Sequence, residues 1–104
     1  MNRKIRVGPA ILDVVELEID EFGRFEEDGE RIVVRKGLNP YVRSRTELHE
    51  ILHAIWLEYD LPKEHEESCV RRLESGLIAF VLDNPDYARG LISTLIKEGL
   101  KGSR

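Results

Sequence analysis

Thr46-Glu47-Leu48-His49-Glu50-Ile51-Leu52-His53 is the stretch on which the reading of this chain turns. Residues i and i+4 of an α-helix lie one above the other on one face. His49 and His53 therefore aim two imidazoles at one point, as two ligands of a single Zn²⁺ ion require. Glu50 sits about 100° round the helix from His49, within reach of a water on that ion and able to take its proton. The surrounding residues support a helix. Leu48, Ile51, Leu52, Ile55 and Tyr59 recur at helical spacing as a core face, and His49, His53 and Trp56 form a separate stripe beside it. Ser44 with Glu47 reads as a capping box, which predicts a helix over residues 44–59.

The chain has 104 residues, 41% hydrophobic and 35% charged, which predicts one globular domain over residues 1–104. The formal net charge of −4 argues against nucleic acid as a partner, because no excess of Lys and Arg replaces phosphate counterions. Arg31, Arg35, Lys36, Arg43 and Arg45 read as the solvated edge of a loop rather than a binding patch. Cys69 is the single cysteine, so no disulfide framework exists and the expected compartment is reducing, hence cytoplasmic. No apolar run approaches 18 residues, and no signal-peptide core follows the charged start, so no membrane span is expected. Glutamine is absent while Glu and Arg are abundant, a composition that leans toward a thermophilic source.

Outward from the helix, the N-terminal third reads as β-structure. Residues 4–7 form a short strand broken by Gly8-Pro9. Residues 11–19 form a second, with Val15, Leu17 and Ile19 inward and Glu16, Glu18 and Asp20 outward. Residues 21–24 turn, and Phe25 begins a further strand. Glu27-Asp28-Gly29-Glu30 signals a hairpin with a type I′ turn, leading into a strand over residues 31–36. Residues 37–40 form a loop before the helix of the motif. On its other side, Asp60-Leu61-Pro62 breaks the chain, with Pro62 in the first turn of a helix that runs to Leu82. Its apolar side is Cys69, Val70, Leu73, Leu77, Phe80 and Val81. Asn84 and Pro85 open a third helix over residues 85–97, whose buried side is Tyr87, Leu91, Ile92, Leu95 and Ile96, stopped at Gly99 and followed by a frayed tail. The expected fold class is α+β: a small, mostly antiparallel sheet of about three strands packed on three helices.

A catalytic zinc needs a third protein ligand and an open position. The short break brings the start of the second helix close to the first, so Glu64, His65, Glu66, Glu67 and Cys69 are all candidates, with Asp60 in the break itself. Helical phase aligns Glu66 with Leu73 and Leu77 on the inward face. Cys69 also faces inward, where a lone thiol serves as apolar filler.

The combination of a β-rich start, Leu-His-Glu-Ile-Leu-His-Ala-Ile-Trp, a short acidic break and Glu67, Val70, Leu73, Gly76 and Leu77 resembles small zincin-like metallopeptidase proteins of bacteriophages and prophages. These are distant relatives of the ImmA/IrrE group. The resemblance spans about residues 10–85. It implies a minimal zincin fold and favours Glu67 over Glu66 as third ligand, since the spacing Glu67, Val70, Leu73 is similar to that of the thermolysin-like glutamate. It implies that residues 32–35 are the edge strand along which an extended peptide pairs. The chain departs from the pattern at Arg71, where those relatives carry an Asn or Asp. The implied function is a zinc-dependent metallopeptidase with one Zn²⁺ on His49, His53 and Glu67, Glu50 as catalytic base, and a peptide or protein as substrate. Tyr41, Tyr59 and His65 are candidates for stabilising the oxyanion. The alternative is an inactive binding module of the same fold, whose metal is a structural staple and whose work is protein–protein contact.

Overall fold

The computed structural model describes residues 3–28 and 30–103. By its contacts the chain divides into two units, Met1–Glu74 and Ser75–Arg104. The first holds four strands, β1 (Arg3–Val7), β2 (Ala10–Leu17), β3 (Gly23–Glu26) and β4 (Arg31–Arg35), then helix α1 (Pro40–Glu58) and the first half of helix α2 (Glu66–Asp83). The second holds the rest of α2, helix α3 (Pro85–Glu98) and a π-helical turn, Gly99–Ser103. The α+β class is as expected, with four strands instead of about three.

The sheet order is β1-β2-β4-β3. β1 and β2 pair antiparallel through a two-residue turn, Val7 opposite Ala10. Gly8 supplies its positive φ of 56° and Pro9 follows with a fixed φ, so the expected break is a hairpin. β3 and β4 are also antiparallel, Gly23 opposite Val34 and Glu26 opposite Arg31. The expected Asp28-Gly29 turn includes Gly29, which lies outside the described residues. β2 and β4 pair parallel, Val14 opposite Ile32.

Two expectations about the sheet are corrected by this order. β4 is interior, flanked by β2 and β3, so residues 32–35 are not an edge; β1 and β3 are. The apolar run Ile32-Val33-Val34, fully buried on both faces, is what a central strand beside a parallel partner requires. Each such side chain stabilises the fold by about 1.5–3 kcal/mol through removal from water. The inward phase of β2 also differs. Leu12 and Val14 join Val7, Ile32, Val34 and Ala54 in the core, while Val15 is buried on the other phase and Leu17 and Ile19 are half-buried. Strand alternation sets a period of two, and cross-strand partners choose between its two phases.

α1 lies against β1, β3 and β4. It starts at Asn39, whose side chain accepts from the Val42 N–H at 2.9 Å, with Pro40 at the first position. The expected start at Ser44 is therefore one turn late. Asn39-Pro40 is itself a cap followed by a residue whose missing N–H costs nothing there. The buried positions of α1 are Thr46, Glu50, Leu52 and Ala54, and Tyr59 is 60% exposed rather than part of the core.

α2 begins at Glu66, after His65 at φ 62°, and not at Pro62. In the second unit, Tyr87, Leu91, Ile92, Leu95 and Ile96 are exposed, and Ala88 is the buried residue of α3. Helical spacing shows that a helix has an apolar side; it does not supply the surface that covers it. Gly99 continues the helical backbone at φ −63°, and the left-handed residue is Gly102 at φ 85°. α3 itself ends at Glu98 with Gly99 as its C-cap, as expected, and residues 101–103 of the expected frayed tail form part of the π-helical turn.

Gly23 lets β3 approach α1. A Cβ there would lie 2.5 Å from Thr46 Cγ2 and 3.0 Å from the Val33 carbonyl oxygen. Gly23→Val is expected to destabilise the protein by about 1–3 kcal/mol, the usual cost of overpacking. Gly76→Ala, where an added Cβ meets nothing within 4 Å, is expected to hold or gain up to ~1 kcal/mol of helix stability. Urea midpoints at unchanged slope measure both.

Candidate metal centre

His49 and His53 project from the middle of α1 toward the first two turns of α2. The chain reverses between the helices in residues 59–65. Trp56 fixes that reversal: its indole N–H donates to the Pro62 carbonyl at 2.7 Å, and its own carbonyl accepts from the Leu61 N–H at 2.9 Å. Asp60 and His65 take positive φ, 51° and 62°, at either end of the turn.

Glu67 meets both imidazoles. Its Oε1 lies 2.9 Å from His49 Nε2 and its Oε2 lies 3.0 Å from His53 Nε2. One ligand atom from each of His49, His53 and Glu67 falls within 4.8 Å of the others, so this group could hold a metal ion. Of the two adjacent glutamates, Glu67 belongs to that group. Glu66 turns to the far side of the same ring, its Oε2 2.6 Å from His53 Nδ1.

The second nitrogen of His49 is held in the same way. Its Nδ1 lies 2.8 Å from Glu74 Oε1, and Glu74 is fixed by Arg45 through Nη2 at 2.8 Å and Nε at 2.9 Å. Each imidazole thus has a carboxylate at both nitrogens, and facing both as donor requires two ring protons. With a cation on the Nε2 lone pair the ring is neutral, and Nδ1–H still donates to Glu74 or Glu66. Such outer carboxylates set the tautomer and ring orientation of metal-binding histidines. The donor set, two imidazole nitrogens and one carboxylate oxygen, suits a divalent transition metal. Burial alone would raise the Glu67 carboxyl, but His49, His53 and the hydrogen bond from Arg71 outweigh it and hold it below its ordinary range.

Glu50 lies one residue from the first imidazole and is 7% exposed, wedged beside Gly23 of β3. Burial pushes its carboxyl above the ordinary value, against the opposing pull of His49 and His53. Two cavities flank it. One, about 510 Å³, is walled by Phe22, Tyr41 and Val42; the other, about 610 Å³, by Arg24, Phe25, Glu27, Lys63 and Glu66. Gly23, His49, Glu50, Glu67 and Arg71 line both. They are the waist of one cleft along the edge strand β3.

The other sequence candidates lie elsewhere or play other parts. Cys69 is outside the ligand group. His65 is 79% exposed and faces Glu64 at 3.9 Å. Tyr59 packs over Gly8. The Arg side chains of the loop-edge cluster are engaged: Arg31 with Glu26, Arg43 with Glu16 and Glu47, and Arg45 with Glu74. Sequence reasoning missed Glu74 and Arg45. Glu67, Arg71 and Glu74 at i, i+4 and i+7 carried the signal, since they share a helix face. No family model, no curated protein and no solved structure matches the chain.

The raised Glu50 carboxyl has a signed consequence for the metal-free protein. Its unfolded form ionises near 4.5 and its folded form at higher pH, so between those values the unfolded chain has released the proton that the folded one keeps. Stability is therefore lost as pH rises above 4.5 and stays lost at neutral pH. Metal-free Glu50→Gln is expected to exceed the metal-free wild type in urea midpoint at pH 7. The gap should close as pH falls to 4.5 and below.

Proposed function

We propose that this chain is a zinc-dependent metallopeptidase of minimal zincin type. The observation that carries the reading is the convergence of His49 Nε2, His53 Nε2 and the Glu67 carboxylate beside a buried Glu50, at the waist of a cleft. Two histidines and one glutamate on facing helices are a catalytic zinc set, which leaves room for a further ligand.

Zn²⁺ held by these residues would supply Lewis acidity, making a water more acidic and polarising a scissile carbonyl. Everything else falls to the protein. Glu50, buried beside the imidazoles, takes a proton from the attacking water and later gives it to the leaving amine. Glu66 and Glu74 hold the imidazoles in register. β3 offers the sheet's edge to an extended peptide, which would add to it as a further strand. The resemblance to phage and prophage zincins agrees with this reading, and the lone Cys69 supports a reducing, cytoplasmic setting. No helix among the described residues is long and apolar enough to cross a membrane.

Metal analysis of wild type, His49→Ala and Glu50→Gln after zinc-replete purification is the direct test. About one zinc per chain is expected in wild type and Glu50→Gln, and loss of it in His49→Ala. Glu50→Gln should lower peptide hydrolysis by about 10²–10⁴-fold, the span of general acid–base catalysis. Turnover at the wild-type rate in Glu50→Gln would remove Glu50 from the mechanism. A zinc-loaded wild type that cleaves no peptide, with a melting temperature that falls in His49→Ala, would replace the peptidase by a binding module stapled by metal.

A further inference from the structure

Hydrolysis of an amide passes through a tetrahedral centre. The C–O bond to water forms, the carbonyl π pair moves to its oxygen, and the water's proton goes to Glu50. The C–N bond then breaks as the amine takes that proton. The negative oxygen needs a donor fixed near the ligand set. The three candidates named from sequence are placed badly for it. Tyr41 lines one cavity only, and its hydroxyl accepts from Arg45 at 3.4 Å. Tyr59 lies on Gly8, and His65 lines neither cavity.

We infer that Arg71 is the catalytic residue that stabilises this oxyanion, an inference that rests on the peptidase reading. Of the five residues common to both cavities, His49 and Glu67 bind metal, Glu50 moves the proton, and Gly23 has no side chain. Arg71 remains, and it is the cation of the waist. Its Nε donates to Glu67 Oε1 at 3.2 Å, which tethers the guanidinium beside the ligand set. Its Nη groups have no partner among the described residues, and the side chain is 74% exposed. Arg45, the other arginine of the first cavity, is committed to Glu74. A guanidinium anchored by one edge and free at the other presents planar N–H donors to a carbonyl oxygen and keeps its charge at any working pH. It also brings positive charge to a waist otherwise lined by carboxylates.

The test compares zinc-loaded wild type, Arg71→Lys and Arg71→Ala. Zinc content and melting temperature are measured first. Hydrolysis of a quenched fluorescent hexapeptide library then gives kcat and KM. Calorimetric binding of a phosphinic peptide, whose tetrahedral anion mimics the charged centre, needs no turnover. The expected result for Arg71→Ala is unchanged zinc and melting temperature, kcat lower by about 10²–10³-fold with KM within a few-fold, and phosphinic peptide affinity lower by a similar factor. Arg71→Lys should recover part of both. Wild-type kcat and wild-type phosphinic affinity in Arg71→Ala would overturn the assignment and leave the peptidase standing. Loss of zinc or of melting temperature would make Arg71 a structural partner of Glu67 and overturn it as well. A wild type that neither cleaves nor binds the phosphinic peptide would take down the peptidase and Arg71 together.

Discussion

The candidate centre depends on a set of imidazole–carboxylate contacts between α1 and the start of α2. His49 and His53 are each bounded by carboxylates at both ring nitrogens, with Glu67 bridging the inner pair and Glu74 and Glu66 holding the outer pair. Three carboxylates drawn together repel one another, and Arg45 on Glu74 and Arg71 on Glu67 offset part of that repulsion. The contacts orient the imidazoles and tie the two helices across the reversal that Trp56 closes. They also make the site a property of two elements, neither of which contains it alone.

A second constraint is the close approach of β3 to α1. Gly23 leaves no Cβ to hold them apart, and Glu50 sits beside it at the point of contact. The same proximity buries the carboxyl that is proposed as base and places an unpaired strand edge next to the ligand set. Helix–sheet packing and the proton affinity of Glu50 are therefore both consequences of one missing methyl group. A larger residue at position 23 would open the helix–sheet contact and hydrate Glu50 together.

The two lobes of the cleft follow from chain order. Phe22 and the first turn of α1 wall one side; the end of β3 and the reversal before α2 wall the other. The charges of the second lobe are of both signs, Arg24 and Lys63 against Glu27 and Glu66.

Much of this was legible from local spacing. His49, Glu50 and His53 lie within one turn of one helix, so their mutual geometry is fixed by the helical repeat and needs no tertiary information. The α+β class followed equally from a period of two giving way to 3.6. What remained open involved partners distant in sequence. Helical phase favoured Glu66, the family spacing favoured Glu67, and only the packed helices put Glu67 between the rings and Glu66 behind one of them. The resemblance implied that β4 was an edge, and a strand's hydrogen-bonding neighbours are not written in its own residues; parallel pairing with β2 made it central and left β3 outermost on that side. The apolar side of α3 was visible, but what a side faces depends on surfaces elsewhere in the chain. The sequence by itself determined which groups share a helix face; the tertiary structure decided which carboxylates meet them, because those contacts span 13 to 25 residues and are set by how the chain turns back.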